Sequence, residues 1–265
     1  MKGWVVYDSE GAKRNAWFMQ KLIDECRGLG LDVEGKILDA PDEKLPLPDF
    51  AIVRTMNTQI GEWLDEKGVR LFNNARLQKT ACDKWETYLF CKQNDIPVLD
   101  TKLVGEEPPF AYPFVVKARD GHGGSEVFLC REEKEWKTLC KRIEKTRYIA
   151  QPLCDETGKD MRVYMLGGRV LAAMLRTSKS DFRSNFSLGG KAEVAQVDES
   201  QRQILNRVAR LLSPDFCGVD FIRHQGKWIV NEMEDPVGAR MLYEHTDMDV
   251  AREFANYINQ KIAKN

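Results

Sequence analysis

The stretch Gly218-Val219-Asp220-Phe221-Ile222-Arg223-His224-Gln225-Gly226-Lys227-Trp228-Ile229-Val230-Asn231-Glu232-Met233-Glu234 reads as a hairpin that carries acids on apolar strands. Gly218–Arg223 and Trp228–Met233 form the strands, around a turn at Gln225-Gly226. With the turn centred near Gly226, Asp220 falls opposite Glu232. Directly opposed antiparallel residues have Cβ atoms about 5 Å apart. Glu232 and Glu234 are two apart and share a face. Like charges about 4 Å apart repel by roughly 4 kcal/mol at an effective dielectric of 20. Three such carboxylates require a compensating cation, and oxygen-only ligands suit Mg²⁺ or Mn²⁺. The competing reading is that Asp220 or Glu234 sits at a strand end and faces solvent.

Working outward, a second hairpin runs Asp160–Leu166, turns at Gly167-Gly168 and returns as Arg169–Arg176. A helix at about 198–212 separates the hairpins, and one at about 247–262 follows them. Upstream, Phe114–Ala118 and Ser125–Leu129 flank a glycine-rich loop, followed by a helix at about 131–144 and a strand at Tyr148–Gln151. This is a small α+β lobe. The first third differs. Strands at about 3–8, 33–38, 50–53 and 69–72 alternate with a helix at about 12–28, where Phe18, Leu22, Cys26 and Leu29 keep helical spacing. Asn57 or Thr58 caps a second helix, and a third at about 80–93 leads into Ile96-Pro97-Val98-Leu99. The βαβ rhythm implies a parallel sheet. The fold class is therefore α/β with α+β lobes, divided as 1–95, 96–155 and 156–265.

Composition excludes several function classes. A net charge of -1 argues against nucleic acid or membrane as a partner. No apolar run is long enough to span a bilayer. The start, Met1 to Asp8, turns polar too soon for a signal peptide and reads as a strand. The seven cysteines form no CxxC pair, so they read as reduced, packed thiols of a cytoplasmic protein.

Two further stretches can hold anions. In Lys117-Ala118-Arg119-Asp120-Gly121-His122-Gly123-Gly124-Ser125 the glycines let backbone N–H groups approach a phosphate, and Lys117 ends a buried strand beside them. Neither a Walker A loop nor a GxGxxG motif occurs. Arg162, Arg176 and the irregular loop Asp181-Phe182-Arg183-Ser184-Asn185 supply forks suited to phosphate or carboxylate. Ordinary surface salt bridges are the plainer reading of each arginine alone.

Taken in order, these pieces resemble the ATP-grasp enzymes, and among them the RimK-type ligases, which attach glutamate to a protein's C-terminus, and related amino-acid ligases. The likeness begins at Asp83-Lys84 and continues through Pro113–Lys117, Gln151-Pro152-Leu153 and Asp160-Met161-Arg162. It ends with Asp181–Gly190, Gly218-Val219-Asp220 and Asn231–Glu234. The resemblance implies an ATP-grasp fold, in which two α+β lobes clasp ATP behind an α/β domain. It implies that Lys84, Lys117, Arg162 and the loop with Gly121, Gly123, Gly124 and Ser125 meet phosphates. Gln151 and Leu153 would hold adenine, with Asp160 near the ribose. Asp220, Glu232 and Glu234 would hold two Mg²⁺ or Mn²⁺ ions. Arg176, Arg183 and Asn185 would steady an acyl phosphate formed from a carboxylate substrate before an amine attacks it. Such enzymes often form homo-oligomers.

There are two departures from the family pattern. Glu-x-Asn is usual where this chain has Glu232-Met233-Glu234, and the stretch after it is Asp235-Pro236-Val237-Gly238-Ala239-Arg240. That stretch borders the acceptor in the family, so Arg240, with Arg54, becomes a candidate acceptor contact. An ATP-grasp kinase and a nucleotide-binding regulator without turnover are the alternative functions.

Overall fold

The protein is described from a computed structural model that covers residues 1–124, 126–178 and 191–264. β1 (Lys2–Tyr7), α1 (Ser9–Gly28), β2 (Asp32–Ile37), β3 (Phe50–Val53), α2 (Thr58–Glu66) and β4 (Arg70–Phe72) build a parallel sheet of order β2-β1-β3-β4. Asp8 caps α1 by accepting from Gly11 N at 2.7 Å, and Asn57 caps α2 by accepting from Gln59 N at 3.1 Å.

The single helix expected at about 80–93 is two, α3 (Ala75–Cys82) and α4 (Lys84–Gln93). They meet at Asp83, whose extended backbone (φ -131°, ψ 118°) ends one helix while its side chain caps the next through Trp85 N at 2.8 Å. The break sets Lys84 at the first turn of α4.

β5 (Lys102–Leu103), β6 (Phe114–Ala118), β7 (Val127–Cys130), α5 (Glu133–Cys140) and β8 (Tyr148–Pro152) form the small lobe. Its antiparallel sheet has the order β5-β8-β6-β7 and packs Phe114, Val116 and Tyr148 on Trp136 of α5. α5 is shorter than the expected 131–144, although Cys140 and Ile143 at and beyond its end still pack against the same core.

β9 (Lys159–Leu166), β10 (Arg169–Thr177), β11 (Lys191–Ala195), α6 (Glu199–Leu212), β12 (Phe216–His224), β13 (Lys227–Glu234), α7 (Arg240–His245) and α8 (Val250–Ala263) complete the chain. Their antiparallel sheet has the order β11-β10-β9-β12-β13. One face packs Tyr164, Met174 and Phe216 on α8 and, through Phe18 and Leu22, on α1. The other packs Val163, Met165 and Phe221 on Leu205 and Val208 of α6. The turn before β10 needs glycine at Gly167, where φ is +59° and a Cβ would lie 2.5 Å from the Tyr257 ring. No helix among the described residues is long and apolar enough to cross a membrane.

Asp215, just before β12, accepts from Tyr257 Oη at 2.6 Å, yet burial pushes its carboxyl up to about 6. A folded-state value above the unfolded one of 3.8 means that folding favours the protonated form. The contribution is fully present below about pH 4 and is lost as pH rises through about 6, a difference of roughly 3 kcal/mol. Urea unfolding should therefore show Asp215→Asn flattening the loss of stability between pH 4 and pH 7, relative to the unaltered protein. Identical pH slopes for the two would contradict the assignment.

Candidate functional site

The cleft lies between the small lobe and the five-stranded sheet and encloses about 840 Å³, part of it open to solvent. Its floor is set by register. Asp220 on β12 stands opposite Glu232 on β13 and opposite Arg162 on β9. Ligand oxygens of Asp220, Glu232 and Glu234 lie within 4.8 Å of one another. Asp220 is fully buried and the two glutamates are half-buried, so the solvent-facing reading of Asp220 is set aside. A register shift between Asp220 and Phe221 marks a bulge at the site, a device that re-aims side chains.

The charge that balances these carboxylates comes from the chain itself. Arg162 forks onto Asp220 at 2.8 and 2.7 Å and also donates to Glu234. Arg176 forks onto Asp160 at 2.5 and 2.7 Å and reaches Asp220 Oδ2 at 2.6 Å. Burial alone would raise the Asp220 carboxyl, but the two guanidiniums hold it below the usual carboxylate range. Burial pushes Glu234 up to about 7; Arg162 opposes the rise, while Asp220 and Glu232 add to it. The sequence expectation had named a bound cation as the only compensation, because pairing across several strands is invisible before the register is known.

The opposite wall carries two lysines. Lys84 Nζ lies 3.2 Å from Glu232 Oε2 and donates to Gly121 O in the glycine-rich loop. Lys117 Nζ donates to Asn231 Oδ1 at 2.8 Å, and burial pushes its ammonium below the ordinary lysine value. Gly121, Gly123 and Gly124 line the same cleft, as do Gln151, Leu153 and Asp160. Gln151 donates through Nε2 to Thr101 Oγ1 at 3.0 Å, while its buried Oε1 has no hydrogen-bond partner among the described residues. An orphaned buried acceptor at this point fits a ligand with N–H groups.

Ser125, Arg183 and Asn185 lie outside the described residues. Arg54 is away from the cleft lining: it is buried, its guanidinium lies over the Phe18 and Phe216 rings, and Nη2 donates to Val237 O at 2.6 Å. Arg240 is exposed at the first turn of α7. The sequence reading missed the partnership of Asn231 with Lys117. Its only signal was a polar residue on an otherwise apolar strand beside Glu232.

A lobe whose antiparallel sheet and glycine loop close over lysines and a floor of hairpin carboxylates defines the ATP-grasp class. The chain belongs to the RimK-like ATP-grasp family, whose domain model matches residues 81–258. It is 31% identical over 245 residues to human (Homo sapiens) N-acetylaspartylglutamate synthase A, covering 86% of this chain and 63% of that protein. It is 32% identical over 209 residues to beta-citrylglutamate synthase B of Danio rerio, covering 74% of this chain and 52% of that one. The chain thus spans between half and two thirds of the length of these curated relatives. The solved structure of the D-cycloserine synthetase DcsG shares the fold, with a TM-score of 0.73 over 99% of this chain and 100% of that one, at 19% identity.

Removing one member of a buried ion cluster strands the others, a loss of about 3–5 kcal/mol. Asp220→Asn should destabilise the protein by that amount in denaturant unfolding, since Arg162 and Arg176 both lose their shared partner. A change under about 1 kcal/mol would mean that the buried pairing carries little of the fold's stability.

Proposed function

We propose that the chain is an ATP- and Mg²⁺-dependent ligase that joins a carboxylate to an amine, with an amino acid or peptide among its substrates. The observation that carries this reading is the meeting of Lys84, Lys117 and Glu232 in one cleft, with Asp220 and Glu234 clustered beside Glu232. The donor set is all oxygen, which fits Mg²⁺ or Mn²⁺ held by Asp220, Glu232 and Glu234. When bound, such ions supply positive charge at the transferring phosphoryl group.

Lys84, Lys117 and Arg162 meet the phosphates, together with Gly121, Gly123, Gly124 and Ser125. Gln151 and Leu153 hold the adenine, and Asp160 the ribose. A substrate carboxylate oxygen attacks the γ-phosphorus of ATP, and the bond to the β-phosphate oxygen breaks to release ADP. The amine then attacks the acyl carbon of the acyl phosphate, loses a proton and expels phosphate. Arg176, Arg183 and Asn185 steady the acyl phosphate, and the glycine-rich loop keeps water from it. Arg240, exposed at the first turn of α7, is a contact for the acceptor. A cytoplasmic location fits a chain with seven free thiols that consumes ATP.

The two curated relatives are named as synthases of glutamate conjugates, so glutamate is the first amine to test. ATP, Mg²⁺, glutamate and either N-acetylaspartate or citrate should yield ADP, and hydroxylamine in place of glutamate should yield a hydroxamate. ADP without hydroxamate would point to phosphorylation of a hydroxyl instead. Lys117→Ala should reduce turnover by about 100-fold, the usual loss for a preorganised cationic or hydrogen-bond donor. A fold-intact protein that binds neither ATP nor its non-hydrolysable analogue with Mg²⁺ would overturn the reading.

A further inference from the structure

Asn73 follows β4 and precedes the residues 81–258 of the family domain. It is buried, and its carboxamide makes four hydrogen bonds. Nδ2 donates to Phe216 O at 2.7 Å and to Asp235 Oδ1 at 2.9 Å. Oδ1 accepts from the N–H groups of Asp215 at 2.6 Å and Phe216 at 2.8 Å. β12 begins at Phe216 and β13 ends at Glu234. One side chain therefore bridges both strands at the open end of the hairpin, away from the Gln225-Gly226 turn.

Two further donors hold the chain just beyond Glu234. Cys82 Sγ donates to Asp235 O at 3.0 Å, and Arg54 Nη2 donates to Val237 O at 2.6 Å. Val237 is fully buried against Gly218, where a Cβ would lie 2.8 Å from Val237 Cγ2. The gripped segment is thus folded back onto β12 two residues before Asp220. Neither Asn73 nor Arg54 is among the residues that line the cleft.

Antiparallel strands with no covalent link at one end separate most easily there. Here that end carries Asp220 and Glu234, whose spacing decides whether three carboxylates can share an ion. We infer that Asn73 and Arg54 are positioning residues, by which the N-terminal sheet clamps the open end of the hairpin and fixes the carboxylate spacing. The inference rests on the metal role given to these carboxylates above. Outer partners that orient ligands alter metal affinity by about 10–100-fold.

The test is Mn²⁺ titration by electron paramagnetic resonance at saturating ADP, alongside ADP binding without metal and thermal unfolding. The variants are Asn73→Ala, Arg54→Met and Arg54→Lys, with Leu64→Ala as a core substitution in a cluster that holds no hairpin residue. Asn73→Ala and Arg54→Met should weaken Mn²⁺ binding about tenfold or more while metal-free ADP binding stays within about twofold. Arg54→Lys should recover most of the affinity, and Leu64→Ala should lower Tm without changing it. Should Asn73→Ala fail to fold, the Arg54 pair decides. Arg54→Met with lowered Tm and native Mn²⁺ affinity overturns the positioning role alone. An unaltered protein that binds no Mn²⁺ with ADP overturns the metal assignment and this role with it.

Discussion

A carboxylate with no exposure, clasped by two guanidiniums, is the constraint around which the large sheet is arranged. Burying an unpaired charge costs several kcal/mol, so Asp220 is tolerable only where Arg162 and Arg176 both reach it. Those residues lie on different strands, and a slip of one residue would send a side chain to the opposite face. The ion cluster thus fixes the register of β9, β10 and β12 together. Asp160 and Glu234 extend it, so that each arginine is shared by two carboxylates. The two lysines extend it across the cleft and tie the wall to β13.

Hydrophobic packing explains why these charges are held still. The large sheet is covered on both faces, by α6 on one and by α1 and α8 on the other. Of the helices that cover the second face, α1 follows the first strand of the parallel sheet, so the large sheet's core is completed by residues more than a hundred positions earlier in the chain. That joint core explains why polar groups such as Asn73 and Arg54 can be buried at the seam without reaching water: each finds backbone acceptors there.

Much of this was legible before any coordinates. Period-two alternation and the Gln225-Gly226 turn put Asp220 opposite Glu232, and that pairing is present. The parallel βαβ sheet and both large hairpins were readable for the same reason, since their apolar periods are clean. The bulge after Asp220 was not, because inserting one residue in a ladder leaves no mark on an apolar run. Asp83-Lys84 reads as the opening of a helix, and α4 begins there. The separate α3 before it was not legible, because the residues leading up to Asp83 continue the helical spacing. β11 and the short α7 escaped notice: the first is a largely exposed edge strand, the second six residues long. The partners of Arg162, Arg176, Asn73 and Arg54 were unreadable in principle, since Asn73 meets Asp235 across 162 positions and Arg54 meets Val237 across 183.

The small lobe is joined to the body by strands that run side by side. β5 enters opposite the end of β8, with Lys102 paired to Ala150 and Leu103 to Ile149, and Thr101 is tied to Gln151. Just before them, Pro97 O accepts from Val230 N at 2.8 Å, anchoring the entering strand to the floor. A body tethered through two adjacent strands resists twisting about its own axis more than it resists swinging about the line between its attachments. The connection therefore resembles a door with two hinge pins: a swing of the lobe would carry its β6–β7 edge toward or away from the floor and keep its lateral alignment with the carboxylates.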